Sequence, residues 1–378
     1  MNMVLEAFAT GAGILWKALW ALIFGYFISA SIQVLVTRKQ MSEVLGRPGL
    51  KQGALAGFFG FVSSSCSFAA LAAARSIWVK GAHPRNSLAF LIASTNLVVE
   101  LGIVLWILLG WQFVLGNFLL GLLMIVIMYA MTHVWFPHRL ADRARARADE
   151  RQNSERTMQH DPGESLGGDW KVKLRSAAGW QAISDAFFME WKMAYKEILF
   201  GFTIAGFIAV FVPDQAWATL FVQPNGSDAG FLIVLQHAAL APIAAFFTFI
   251  GSMGNVPLAA LLWSKDVAFG GVMAFLGADL VAATVLYVQA KYYGFRYTAV
   301  TAGLLYVSMV VAGLIVHALF VAFDILPTAR PELRAQVRFA LDYTFWLNLG
   351  FGSLGALLLW LHVRRSKPVA LRSWQSAR

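Results

Sequence analysis

Hydrophobic positions in this chain gather into long blocks and do not alternate with polar ones. Apolar segments fall at about 11–36, 52–74, 87–110, 112–135, 197–221, 230–263, 268–289, 297–323 and 343–363. Most reach or exceed the ~20 residues an α-helix needs to cross ~30 Å of hydrocarbon. Continuous blocks of this kind exclude the ~10-residue alternating strands of a membrane β-barrel. The pattern predicts an all-α polytopic membrane protein. Over 137–179 it gives way to a polar run containing Arg, Gly and Pro, which predicts a mobile linker. In 180–196, Trp180, Ile183, Phe187, Trp191 and Ala194 recur at helical spacing with Asp185, Lys192 and Lys196 between them. This predicts an amphipathic interfacial helix. The chain thus divides into a first membrane repeat (1–136), the linker (137–179), the interfacial helix (180–196), a second membrane repeat (197–323), a loop (324–342), and a last transmembrane helix with a basic tail (343–378).

Charge sets the topology. Only 13% of the 378 residues are charged, about half the share in a soluble domain. The net charge of +10 sits in loops: Arg38, Lys39, Arg47 and Lys51; Arg75, Lys80 and Arg85; Arg139, Arg143, Arg145 and Arg147; Lys291 and Arg296; and the tail. Bases beside helix ends follow the positive-inside rule. They place these loops in the cytoplasm and argue against nucleic acid as a partner. The N-terminus, the 110–112 turn and 213–230 carry no Lys or Arg and face outward. Nine simple crossings cannot satisfy these assignments. They are satisfied if 52–74 and 230–263 each enter and leave on one side, as re-entrant hairpins buried in protein. The result is two inverted-topology repeats, each with a broken helical hairpin, plus a C-terminal span, with the N-terminus outside and the C-terminus cytoplasmic. A faint echo supports it: SSSCSFAALAA precedes SLAFLIAST, and GSMGNVPLAAL precedes MAFLGADL. Paired interrupted segments point to a transporter binding site.

The two tips carry the candidate chemistry. Ser65 or Ser67 can cap the helix after the first break, and Asn255 can cap the second, with Pro257 in its first turn. Each tip presents unpaired N–H groups and a partial positive charge. Together they form a polar pocket that tolerates an anion. Cys66, the single cysteine, would stand at such a helix end as a soft ligand for a metal or metalloid; its bland alternative is a small buried hydrophobe. Asp279 and Glu100 lie inside apparent spans, where a carboxylate is costly and reads as a proton or ion carrier. Ser94, Thr95 and Asn96 follow the first tip as Asp279 follows the second. His237 and His317 are read as packing residues.

The stretch GSMGNVPLAALLW with FGGVMAFLGADLVAATVLYVQAKYYG, and SSSCSFAALAAARSIWVKGAHPRNSLAFLIAST before it, resemble the predicted-permease family that includes the bacterial organoarsenical efflux permease ArsP. The resemblance implies a permease of the bacterial cytoplasmic membrane acting in export, with Cys66, Asn255, Pro257 and Asp279 at the site. No Walker-type loop is present, so coupling falls to a proton or ion gradient. The expected function is export of a soft metalloid or organoarsenical-type solute by alternating access, without a cofactor. A small anion or oxyanion is the alternative solute, and a membrane-embedded thiol enzyme using Cys66 is the alternative of another class. Membrane lipid is a further expected partner; a second copy of the chain and a soluble partner at the linker stay open.

Overall fold

The computed structural model describes residues 3–35, 49–63, 67–79, 81–134, 138–155, 175–213, 221, 230–248, 252–330 and 343–366. Among them every regular element is helical. The first half contains α1 (Met3–Leu35), α2 (Leu50–Ser63), α3 (Ser67–Val79), α4 (Pro84–Asn96), α5 (Val99–Leu109) and α6 (Trp111–Val134). Helix α7 (His138–Glu155) precedes α8 (Ala177–Phe211), α9 (Phe231–Thr248), α10 (Ser252–Ser264) and α11 (Phe269–Leu276). A 3-10 segment, Gly277–Val281, leads into α12 (Ala283–Tyr293), α13 (Phe295–Ala322) and α14 (Tyr343–Ser366).

Among the described residues, six stretches are long and apolar enough to cross a membrane: Met3–Ile28, Pro84–Leu109, Trp111–Val134, Phe269–Tyr293, Phe295–Ala322 and Thr344–Val363. The protein is therefore a polytopic helical membrane protein. Two of these stretches are internally broken. Pro84–Leu109 changes course between Asn96 and Val99, and Phe269–Tyr293 does so across Gly277–Val281. The turns that follow use glycine in the left-handed region, Gly110 at φ 104° and Gly294 at φ 90°, where a Cβ would be strained. The apolar blocks 52–74 and 230–263 are not single helices. Helices α2, α3 and α10 have 14, 13 and 13 residues, about 20 Å each at 1.5 Å per residue, too short to cross.

Contacts sort the helix ends into two groups. At one end Tyr129 Oη of α6 donates to Gly49 O before α2, and Arg85 Nη2 at the start of α4 donates to Thr132 O. Arg145 of α7 reaches Val79 O at the end of α3, and Arg147 lies against Gly294. At the other end Trp263, closing α10, packs on Phe113 and Phe269. There Ala268 N–H donates to His237 Nδ1 of α9 at 2.8 Å. So α2 starts where α3 ends, and the first turns of α9 lie beside the end of α10. His237 accepts a helix-start N–H, in agreement with its reading as a packing residue.

One sequence expectation changes. The polar run after residue 136 begins as a helix, because Ala141, Ala144 and Ala148 form a buried small-residue stripe on which α7 packs against α3 and α12; residues 156–174 lie outside the described ones. The amphipathic stretch 180–196 is the first half of the unbroken 35-residue α8. Its apolar side, Ile183 and Phe187, is buried, and Ser184 Oγ donates to Leu358 O of α14 at 2.7 Å. That side packs on protein, while Trp180, Met189 and Tyr195 on the remaining surface are exposed.

Helices α1 and α8 cross at glycines. A Cβ on Gly206 would fall 2.4 Å from Ala7 O, and one on Gly11 would fall 2.7 Å from Phe202 O. Small residues drive close helix contact where no hydrophobic effect separates helix from lipid. Gly206→Leu is expected to cost about 3 kcal/mol or more of stability. Loss of the monodisperse peak in detergent would register it, whereas a wild-type profile would show that the crossing tolerates a side chain.

Candidate substrate and coupling site

Helices α3 and α10 begin at the same place. Ser67, the first residue of α3, and Ser252, the first of α10, have their hydroxyl oxygens 3.0 Å apart. Both donate to one carboxylate: Ser67 Oγ lies 3.3 Å from Asp279 Oδ2, and Ser252 Oγ bonds the same oxygen. All three side chains are buried, Asp279 to 1% exposure. The carboxylate is carried by the 3-10 segment, which keeps it out of a regular helical face. From it, α3 and α10 each run about 20 Å to opposite ends of the molecule, which sets Asp279 at mid-depth.

The electrostatics follow from helix direction. An α-helix N-terminus carries roughly half a positive charge, and here two of them face one carboxylate. Two hydroxyls donate to Oδ2 and the backbone N–H groups of Asp279 and Leu280 also face the carboxylate, while no well-aligned hydrogen bond reaches buried Oδ1. Asn255, one turn into α10, is fully buried, and neither its Oδ1 nor its Nδ2 has a partner. Buried amides and carboxylate oxygens are rarely left unpaired without a reason. Asp279 and Asn255 therefore hold polar capacity that the fold itself does not use.

The predicted residues distribute unevenly. Ser67 and Asp279 meet at Ser252, while Asn255 and Pro257 lie three and five residues further along α10. Helix α10 begins at Ser252, so Asn255 is its fourth residue and not its cap, and Pro257 lies inside the helix. Proline has no N–H to donate to Met253 O, which leaves the first turn of α10 one ladder bond short. Asn96 closes α4 at the break: its Nδ2 donates to Ile92 O and Thr95 Oγ1, its own carbonyl accepts from Asn117 Nδ2 at 2.7 Å, and its Oδ1 is buried without a partner. Helix α4 packs on the 3-10 segment. Glu100 is buried in the first turn of α5 and lies against α1, where a Cβ on Gly25 would overlap its own Cβ. Ser65 and Cys66 lie outside the described residues; in the chain they directly precede Ser67.

Ser252 is the member of the cluster that the sequence reading missed. It stands 185 residues after Ser67. The same offset pairs Trp78 with Trp263, Lys80 with Lys265, Ala89–Phe90–Leu91 with Ala274–Phe275–Leu276, and Ser94 with Asp279. Removing either hydroxyl is expected to lower transport roughly tenfold or more, the scale of a hydrogen bond to a charged group. The Ser67→Ala/Ser252→Ala pair should fall short of additivity, since both serve one oxygen. A double-mutant cycle on initial rates measures this, and strict additivity would mean that the two serines act separately.

Comparison with known proteins adds a family. A family model, ArsP_1, described as "Predicted permease", matches residues 3–318. A Mycobacterium tuberculosis protein named "Putative permease Rv2963" is 38% identical over 327 residues, which covers 86% of this chain and 80% of the relative. No solved structure matches the chain.

Proposed function

The chain belongs to this predicted-permease family, and from that membership we propose that it is a secondary transporter exporting a soft metalloid or organoarsenical-type solute. It works by alternating access in the bacterial cytoplasmic membrane, with the solute held between the two helix-break tips. The observation that carries this reading is the meeting of two helix N-termini on the buried carboxylate of Asp279.

The mechanism follows from charge. Ionised Asp279 offsets both helix ends and clamps α3 to α10. Protonation removes the attraction, frees the serines and lets the two hairpins part. A solute that enters as the proton leaves, or the reverse, is then coupled to the gradient. Cys66 supplies the soft ligand one residue before Ser67, and Asn255 with Asp279 Oδ1 supplies the polar contacts. A bare oxyanion would meet a carboxylate already seated at both helix ends, so the anion alternative requires Asp279 to be protonated first. A thiol enzyme would need a base beside Cys66, and His237 is engaged with the start of α11.

Contacts at the helix ends support the inverted arrangement. Gly49 and Arg85 both sit against the last turns of α6, so α2 and α3 return to their own side. Equivalent residues of two symmetry-related repeats meet only beside the axis, and the contact between Ser67 and Ser252 supports such an axis there. Cysteine labelling on a Cys66→Ser background tests this topology. Lys51→Cys and His83→Cys should both react from the cytoplasmic side, and reaction from opposite faces would exclude the hairpin.

A further inference from the structure

A second feature is not used by the transport site. A groove of about 960 Å³ opens between α2, α4 and α6, at the upper end of the ~300–1,000 Å³ typical of ligand clefts. Its character changes along its length. Gly49, Arg85, Tyr129 and His133 stand at the end with the basic loops. Phe61, Leu97 and Ile125 make the deeper wall. The polar and deep ends are separated by the run from Gly49 to Phe61, about 18 Å of helix. That is close to one leaflet, half of the ~30 Å hydrocarbon core.

The groove exists because Gly49, just before α2, and Gly53, Ala54 and Gly57 on it present little side chain there. Gly53 is covered by the Tyr129 ring, whereas at Gly57 the nearest atom to an added Cβ is Ile125 Cδ1 at 3.6 Å. Its rim opens outward, with Phe58, Leu122 and Val126 each more than half exposed. At the mouth Arg85 donates Nη2 to Thr132 O and sets Nη1 3.4 Å from His133 Nδ1, while its buried Nε has no partner. A guanidinium with spare donors suits a phosphate, which it can bind in bidentate fashion. The groove thus joins a leaflet-deep apolar trough, open toward hydrocarbon, to a cationic mouth.

We propose that this groove binds an anionic phospholipid of the cytoplasmic leaflet, one acyl chain in the trough and the phosphate on Arg85 and His133. The full chain, purified in mild detergent from bacterial membranes, tests it by native mass spectrometry of retained lipid. Wild type should retain phosphatidylglycerol enriched roughly fivefold over phosphatidylethanolamine relative to the bulk membrane, the scale of one basic residue at an anionic surface. Arg85→Gln should bring the ratio to the bulk value, and Ala54→Phe should fill the trough and release lipid of either headgroup. Adding phosphatidylglycerol, but not phosphatidylcholine, to delipidated wild type should also raise its melting temperature, a readout independent of any variant. Lipid retained in bulk proportions, enrichment that survives Arg85→Gln, or equal stabilisation by both lipids would overturn the proposal.

Discussion

Replacing Asp279 with Asn is expected to abolish gradient-driven solute accumulation, by roughly 100-fold or more. The scale is that of removing one partner from a buried charge interaction, ~3 kcal/mol. Asparagine matches the shape of the carboxyl and can still accept from Ser67 and Ser252, so the protein should reach the membrane at normal abundance. What it lacks is the charge that answers two helix N-termini and, on the proposed mechanism, the proton that comes and goes. Solute-for-solute counterflow, which moves no net proton, should therefore survive while uphill accumulation is lost. That split separates a coupling residue from a structural one. If Asp279→Asn accumulates solute at the wild-type rate, coupling resides elsewhere, and buried Glu100 in the first turn of α5 is the next carboxylate to test.

The second large effect is expected at Cys66. A serine there keeps the size and polarity but removes the only thiol of the chain. Accumulation of a trivalent methylarsenical should fall at least roughly tenfold, since even partners one bond removed from a metal ligand shift affinity ~10–100-fold. Accumulation of a hard oxyanion should be unaffected. Uptake into everted vesicles with each solute gives the comparison. An equal loss for both solutes would make Cys66 a structural residue of the tip. No arsenical uptake by wild type would move the proposed solute class to anions.

Much of this arrangement was legible in the sequence because membrane burial writes long, simple signals. The spans declared themselves as uncharged runs, and the loops as clusters of Lys and Arg. Asp279 stood out because a carboxylate in an apolar helix is costly. Ser252 did not, because one hydroxyl among small apolar residues carries no such penalty. Only the register set by Trp78 and Trp263 would have pointed to it. The start of α10 was misread for a related reason. Asn255 and Pro257 form a good helix-start pair, but the helix begins at Ser252, where its hydroxyl meets a carboxylate from another element.

Tertiary packing hid the rest. Helix α7 is strongly polar in sequence, and its three buried alanines mean little until α3 and α12 are beside them. The groove at Arg85 arises from glycines on one helix facing a tyrosine on another, a relation with no local signature.

The most direct measurement is proton movement in proteoliposomes containing the purified chain alone, followed with an enclosed pH-sensitive dye. Adding a trivalent methylarsenical to one side should drive proton flux in wild type and none in Asp279→Asn. Solute movement without proton flux, equal flux in Asp279→Asn, or no flux until a soluble protein is added would contradict proton-coupled transport by this chain.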